Sequence, residues 1–265
     1  MQSRHRFAVA LVFMALLVQA GCLRAAGDRR EPAGRPLTVA AAANLQQAFT
    51  EIAAGFEAST GEKVVLTFGA SGQLARQIEN GAPVDVFASA DVGYVDALLA
   101  RGLMIPDTRV LYARGRIVLV ANRAAAVEVR DLAALADPRI RKVAIANPAH
   151  APYGAAAREA LTRAGIWEKV EPKLVFGENI RQTLQFVQTG NAEAGIVSRS
   201  EAGVPEVVAS PIDDRLYSPL NQAAAVVKGT PREGAARRFL QFVVGPEGQA
   251  VLEKYGYARP EEGAR

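Results

Sequence analysis

Leu66 to Ile78 reads Leu-Thr-Phe-Gly-Ala-Ser-Gly-Gln-Leu-Ala-Arg-Gln-Ile, and Ser71 stands at its turning point. A hydroxyl between a strand end and a helix start has two uses. It can cap the helix, or it can join unpaired backbone N–H groups and the positive end of the helix dipole around an anion. Three other places repeat the grouping: Ala41-Ala-Ala-Asn44, Pro152-Tyr153-Gly154, and Gly177-Glu-Asn179 followed by Ile180. Each is a strand end, then small or capping residues, then a helix start. Taken singly, each is an ordinary corner. In a two-lobed α/β protein such strand ends face one crevice, and four helix starts would meet there. That arrangement binds an oxyanion through neutral donors, without Arg or Lys. A site made only of donors also rejects a protonated anion, whose extra proton finds no acceptor.

Other chemistries have less support. His150 is the only histidine outside the N-terminal segment, so a multi-histidine metal site is excluded. Asp85 and Asp91 lack a surrounding carboxylate cluster and read as capping and hinge-side residues. Ser71 with His150 as a hydrolase pair needs a third orienting group and a nucleophile elbow, and Gly69-Ala-Ser-Gly is not that motif. Arg181 either supports the site from behind or forms a surface salt bridge.

The elements that must position these corners follow from periodicity. Leu37 to Ala41 and Val64 to Phe68 are strands. Leu45, Phe49, Ile52, Ala53 and Phe56 keep helical spacing, as do Leu74, Ala75 and Ile78. Asn44 and Ser71 then occupy N-cap positions. Val84 to Ala88 is a third strand, and a helix through Tyr94, Leu98 and Leu99 stops at Gly102. Arg116 to Ala121 is a strand crossing into a second lobe. There a turn at Leu132 to Leu135, a strand at Val143, a helix from Ala155 to Gly165, a strand at Lys173 to Phe176, a helix from Ile180 to Gly190 and a strand from Ala194 to Ser198 repeat the pattern. Leu220 to Lys228 is the return strand. Arg232 to Tyr255 holds one or two helices around the Gly245-Pro246 break.

A chain of 265 residues with 50% hydrophobic composition can bury a large core. Aromatics make up only 6%, which argues against a nucleic-acid stacking surface. The net charge of +4 comes from the N-terminal segment, where Arg4, Arg6, Arg24, Arg29, Arg30 and Arg35 face only Asp28 and Glu31. The remaining charges balance, so no polyanion-binding patch is expected. Arg4-His-Arg6, the apolar run Phe7 to Val18 and the small-residue site Val18-Gln-Ala20 form an export signal. Cys22, the single cysteine, is placed like the lipidated residue of a lipoprotein. Gln19 departs from that pattern, so ordinary cleavage and lipidation at Cys22 both stay open. Asp28 to Pro36 reads as a flexible tether.

The stretches Ala41-Ala-Ala-Asn44-Leu, Phe68-Gly-Ala-Ser71-Gly-Gln-Leu-Ala-Arg-Gln-Ile78, Gly81-Ala-Pro-Val-Asp-Val-Phe-Ala-Ser-Ala-Asp91, Asn147-Pro-Ala-His-Ala-Pro-Tyr-Gly154, Glu178-Asn-Ile-Arg181 and Ala194-Gly-Ile-Val-Ser198 resemble the molybdate-binding proteins of molybdate ABC importers. The resemblance runs in order from about Leu37 to Tyr257. It implies a type II periplasmic-binding-protein fold: two lobes, each a central mixed sheet flanked by helices, with the ligand cleft between them. The implied segments are a signal peptide (1–21), a tether (22–36), lobe 1 (37–114), lobe 2 (115–218), a lobe 1 return (219–258) and a C-terminal tail (259–265). By motif position the oxyanion-binding residues fall on Asn44, Ser71, Tyr153 and Ile180, with Ala43, Arg181 and Ser198 secondary. Ile180 would act through its backbone N–H, and Tyr153 through backbone N–H, hydroxyl or both. The resemblance further implies a monomeric periplasmic receptor, free or lipid-anchored, without enzymatic activity or cofactor. Its partners would be molybdate or tungstate and a membrane permease. A receptor for another tetrahedral oxyanion such as sulfate, an exported serine hydrolase using Ser71, and the effector domain of a transcription regulator are the alternatives. The export signal and the lack of a helix-turn-helix segment speak against the last.

Overall fold

Runs of β-branched and small apolar residues pair into two separate sheets in the computed structural model, which describes residues 34–125 and 127–260. The expected export signal and Cys22 lie outside these described residues. The first sheet comprises β1 (Leu37–Ala42), β2 (Val64–Gly69), β3 (Val86–Ser89), β4 (Val110–Gly115) and β10 (Leu220–Val226). Its order is β2-β1-β3-β10-β4. The first three run parallel, and β10 is antiparallel to both β3 and β4. The second sheet comprises β5 (Ile117–Asn122), β6 (Val143–Ala146), β7 (Leu174–Gly177), β8 (Ala194–Ser198) and β9 (Val207–Pro211), in the order β7-β6-β8-β5-β9. Again three strands run parallel, and β5 is antiparallel to β8 and β9.

Helices α1 (Gln46–Thr60), α2 (Ser71–Glu79), α3 (Val92–Ala100), α7 (Glu233–Val244) and α8 (Pro246–Lys254) pack with the first sheet. Helices α4 (Pro152–Arg163), α5 (Trp167–Val170) and α6 (Ile180–Gln188) belong with the second. Both faces of the first sheet are apolar. On one, Phe49 and Phe56 of α1 meet Phe239 of α7 edge-on, with ring centroids 6.1 and 5.3 Å apart. On the other, Leu74, Ile78, Val95 and Leu98 cover Phe87. Burying an aliphatic or aromatic side chain of this kind stabilises by about 1.5–3 kcal/mol. Sheets covered on both faces read as continuous apolar strands, as β3, β6 and β8 do.

The chain passes from β4 to β5 across Gly115-Arg116 and returns between β9 and β10. Each sheet therefore receives its antiparallel inner strand, β10 or β5, from the other lobe. Strands β4 and β9 are not among the sequence expectations. Both are edge strands bonded on one side, and β9 ends at Pro211, so neither carries a buried, continuous pattern. Arg35, at the end of the expected tether, is fastened to the folded body: its guanidinium lies 3.0 Å from Asp85 Oδ1. Asp85 also accepts from the Thr38 N–H and the Thr230 hydroxyl.

Candidate functional site

The carboxyl ends of β1, β2, β6 and β7 each lead into a helical turn, and all four turns open on one small cavity. Its lining includes Ala43, Asn44, Ser71, Tyr153 and Ile180, together with Ala70, Ala90 and Asn179. Among the described residues no charged side chain lines it. Asn44, Ser71, Tyr153 and Ile180 are at most 4% exposed, so an anion held there would be stripped of water.

What the cavity offers follows from how each helix start satisfies its own N–H groups. The first N–H groups of a helix have no partner within it. At α2, Gln73 and Leu74 donate to Ala70 O, and Gly72 donates to His150 O at 3.0 Å. Among the described residues this leaves the Ser71 N–H. At α4, Pro152 has no N–H, while Gly154 and Ala155 donate to Ala151 O, which leaves Tyr153. At α6, Asn179 Oδ1 accepts from Arg181 and Gln182, and Asn179 O accepts from Thr183, which leaves Ile180. Three helices thus leave one first-turn donor each, on three residues that share one cavity. At the fourth corner the chain makes a 3-10 turn, Ala43–Leu45, and its first residues Ala43 and Asn44 also line the cavity.

The serine differs from its expected position. The N-cap of α2 is Ala70, and Ser71 is the first helical residue, with no capping bond from its side chain. Its Oγ instead accepts the Ala90 N–H at 3.0 Å. That bond fixes the hydroxyl oxygen and leaves its proton for a guest. Asn44 is not an N-cap either, because the 3-10 turn precedes α1. Its Nδ2 donates to Tyr257 Oη at 2.8 Å and Gln222 Oε1 at 3.2 Å, so the side-chain amide is already committed. Tyr153 Oη accepts from Gln222 Nε2 at 2.9 Å, which leaves its backbone N–H as its contribution to the cavity. Burial holds the Tyr153 hydroxyl far above the ordinary tyrosine range, so it stays neutral.

Ser198 and Arg181 do not line the cavity. Ser198 Oγ lies 2.6 Å from Ser200 Oγ, behind the site. Arg181 lines a separate open groove with Gln46, Gln182 and Gln185, and pairs with Glu201 at 3.0 Å. Glu201 is buried, and burial pushes its carboxyl up to about 7 against the opposing pull of Arg181. The lobes meet over the cavity through the Gly72–His150 bond and through Gln73 Nε2 to Glu178 Oε2 at 2.9 Å.

Sequence reasoning missed Ala90, Gln222 and Tyr257. Gln222 had a signal: it is a polar side chain inside the apolar run of β10, and it is fully buried. Ala90 had none, because it contributes only a backbone N–H. Among the described residues there is no group of three His, Cys, Asp or Glu side chains able to hold a metal ion. No helix among them is long and apolar enough to cross a membrane.

Comparison with known proteins gives a consistent result. The family model for bacterial extracellular solute-binding proteins matches residues 37–258. The molybdate-binding protein ModA of Rhodobacter capsulatus is 39% identical over 219 residues, covering 82% of this chain and 86% of that protein. A substrate-binding lipoprotein of Bacillus subtilis, YvgL, described as a putative ABC transporter component, is 32% identical over 92% of this chain and 94% of its own length. Among solved structures, the periplasmic molybdate-binding protein of Azotobacter vinelandii superposes with a TM-score of 0.80 at 30% identity, covering 85% of this chain and all of that one.

Proposed function

Because the chain belongs to the bacterial extracellular solute-binding protein family, we propose that it captures molybdate, and tungstate equally, and delivers it to the membrane permease of an ABC importer. It is a binding protein, not an enzyme. The relatives that are 39% and 30% identical are molybdate-binding proteins. The observation that carries the reading is the donor set: one free first-turn N–H on each of Ser71, Tyr153 and Ile180, plus the Ser71 hydroxyl, around a cavity without charged side chains.

Such a site matches a tetrahedral dianion. Charge-assisted hydrogen bonds in a dry site are stronger than neutral ones, and helix N-termini add a favourable field. Ala43 and Asn44 complete the ring of donors at the fourth corner. The anion is bound without a counter-ion, so its charge is spread over many dipoles. A protonated oxyanion is rejected because no acceptor faces its proton. Molybdate and tungstate have the same shape and charge and nearly the same size, so one donor set serves both. Closure of the lobes over the anion sequesters it and presents the loaded form to the permease. The protein acts outside the cytoplasm, either free after ordinary signal cleavage or lipid-anchored through Cys22.

Titration calorimetry of the purified chain with molybdate, tungstate, sulfate and phosphate tests the reading. Strong, equal heats are expected for the first two, with sulfate and phosphate much weaker. Absence of heat with molybdate and tungstate overturns it.

A further inference from the structure

Behind the cavity lies a second set of polar side chains, all buried, that the donor set does not use: Asn44, Tyr153, Ser198, Ser200, Gln222 and Tyr257. They close into a ring that crosses between the lobes. From lobe 1, Gln222 Nε2 donates to Tyr153 Oη at 2.9 Å and Asn44 Nδ2 reaches the same oxygen at 3.4 Å. Asn44 Nδ2 also donates to Tyr257 Oη, and Tyr257 Oη donates to Asn44 O at 2.6 Å. From lobe 2, Ser200 Oγ donates to Asn44 O at 3.1 Å and lies 2.6 Å from Ser198 Oγ.

The ring sits against the crossing between the lobes. A Cβ on Gly115, the last residue of β4, would lie 2.1 Å from Tyr153 Oη and 2.6 Å from Gln222 Nε2. Only glycine lets the two lobes approach this closely here. The bonds from Gln222 and Asn44 to Tyr153 Oη, and from Ser200 to Asn44 O, exist only while the lobes keep this relative position. Buried polar groups without partners are costly, so the ring favours the arrangement in which all its members are paired.

We propose that this ring is the closing device of the receptor, and that Tyr153, through its hydroxyl, and Gln222 are positioning residues for anion capture. The inference rests on the oxyanion reading of the cavity. The two corners that end at Asn44 and Tyr153 supply donors on the cavity side and ring members on the other. Pairing the ring therefore brings the lobe 1 and lobe 2 donors to their common point. The hydroxyl of Tyr153 sets affinity without touching the anion.

The test uses the full mature chain and the variants Tyr153→Phe, Ser200→Ala, Gly115→Ala and the double variant Tyr153→Phe with Gly115→Ala. Readouts are molybdate affinity, the rate of molybdate release, and small-angle scattering of the ligand-free protein. Tyr153→Phe removes one oxygen and keeps every cavity donor. Its affinity is expected to fall about tenfold, through faster release, with a shift of the ligand-free ensemble to a larger radius. Ser200→Ala moves both readouts in the same direction by less, and serves if the first variant folds poorly. Gly115→Ala opens the lobes further, and the double variant loses less than the two single losses combined, because the nearest clashing atom, the Tyr153 oxygen, is gone while Gln222 Nε2 remains. Unchanged release and scattering with only a lowered melting temperature overturn the proposal, as do strictly independent losses in the double variant. If the wild-type chain binds no oxyanion, the functional reading falls. The scattering of the variants still decides whether the ring closes the lobes.

Discussion

The two lobes share a sheet order and differ in how they build their half of the cavity. Lobe 1 places a side-chain donor there: Ser71 Oγ is steadied by the Ala90 N–H and keeps its own proton to give. Lobe 2 offers backbone only, the N–H groups of Tyr153 and Ile180, while its polar side chains turn to other work. Tyr153 Oη faces Gln222, and Asn179 caps α6. The buried carboxylates differ too. In lobe 1, Asp85 is bonded to Arg35, the Thr38 N–H and Thr230. In lobe 2, Glu201 pairs with Arg181 through one oxygen, and its Oε1 has no partner among the described residues. Side-chain truncation should therefore remove a cavity donor from lobe 1 directly, whereas a cavity donor of lobe 2 is removed only by a change in the backbone.

The sharpest break of this contrast is Ile180→Pro set against Ile180→Ala. Proline is tolerated at the first helical position and removes only the N–H. The extended backbone of Asn179 suits a following proline. Loss of one charge-assisted donor should weaken molybdate binding by about 1.5–3 kcal/mol. Ile180→Ala keeps the donor, so it should lower melting temperature while leaving affinity close to wild type. Equal affinity losses in calorimetry would mean that the side chain, not the N–H, matters in lobe 2.

Ser71→Ala removes the lobe 1 hydroxyl and leaves the buried Ala90 N–H without its acceptor. Affinity should fall by about 1–2 kcal/mol, and the ligand-free protein should lose a comparable amount of stability. Unchanged affinity would remove the hydroxyl from the donor set and make the two lobes alike.

The last effect, on stability and not on affinity, concerns Glu201. Burial raises its carboxyl to about 7 from 4.5. Between those values the folded state keeps a proton that the unfolded chain has released. Stability therefore falls as pH rises through this window, with a slope of at most about 1.4 kcal/mol per pH unit. Glu201→Gln should flatten that part of the profile in thermal melts between pH 4.5 and 7. An unchanged slope would assign the pH dependence to other groups.

The elements that frame the site were legible because local pattern and tertiary role agree. Leu74 and Ile78 keep helical spacing because one face of α2 is buried; β1 runs apolar because it is an inner strand, and β2 alternates because, at the sheet edge, one of its faces is more exposed. The corners were legible for the same reason: small residues are needed where backbone must approach backbone. A Cβ on Gly72 would lie 2.9 Å from His150 O, and one on Gly154 would lie 2.0 Å from Ala146 O. What was illegible was the aim of each polar side chain. A serine or asparagine before a helix reads as a cap, yet Ser71 bonds to Ala90 and Asn44 to Tyr257, residues 19 and 213 positions away. Such partners are set by sheet packing and lobe closure, which no local window contains. Asn179, whose partners are two and three residues on, behaves as its local pattern suggests.

The most direct measurement is a crystal structure of the chain grown with tungstate, whose heavy atom can be located by anomalous scattering. A single strong peak is expected in the cavity, with oxygens within hydrogen-bond distance of Ser71 Oγ and of the backbone nitrogens of Ser71, Tyr153 and Ile180. A peak in the open groove beside Arg181, or none between the lobes, would contradict the account.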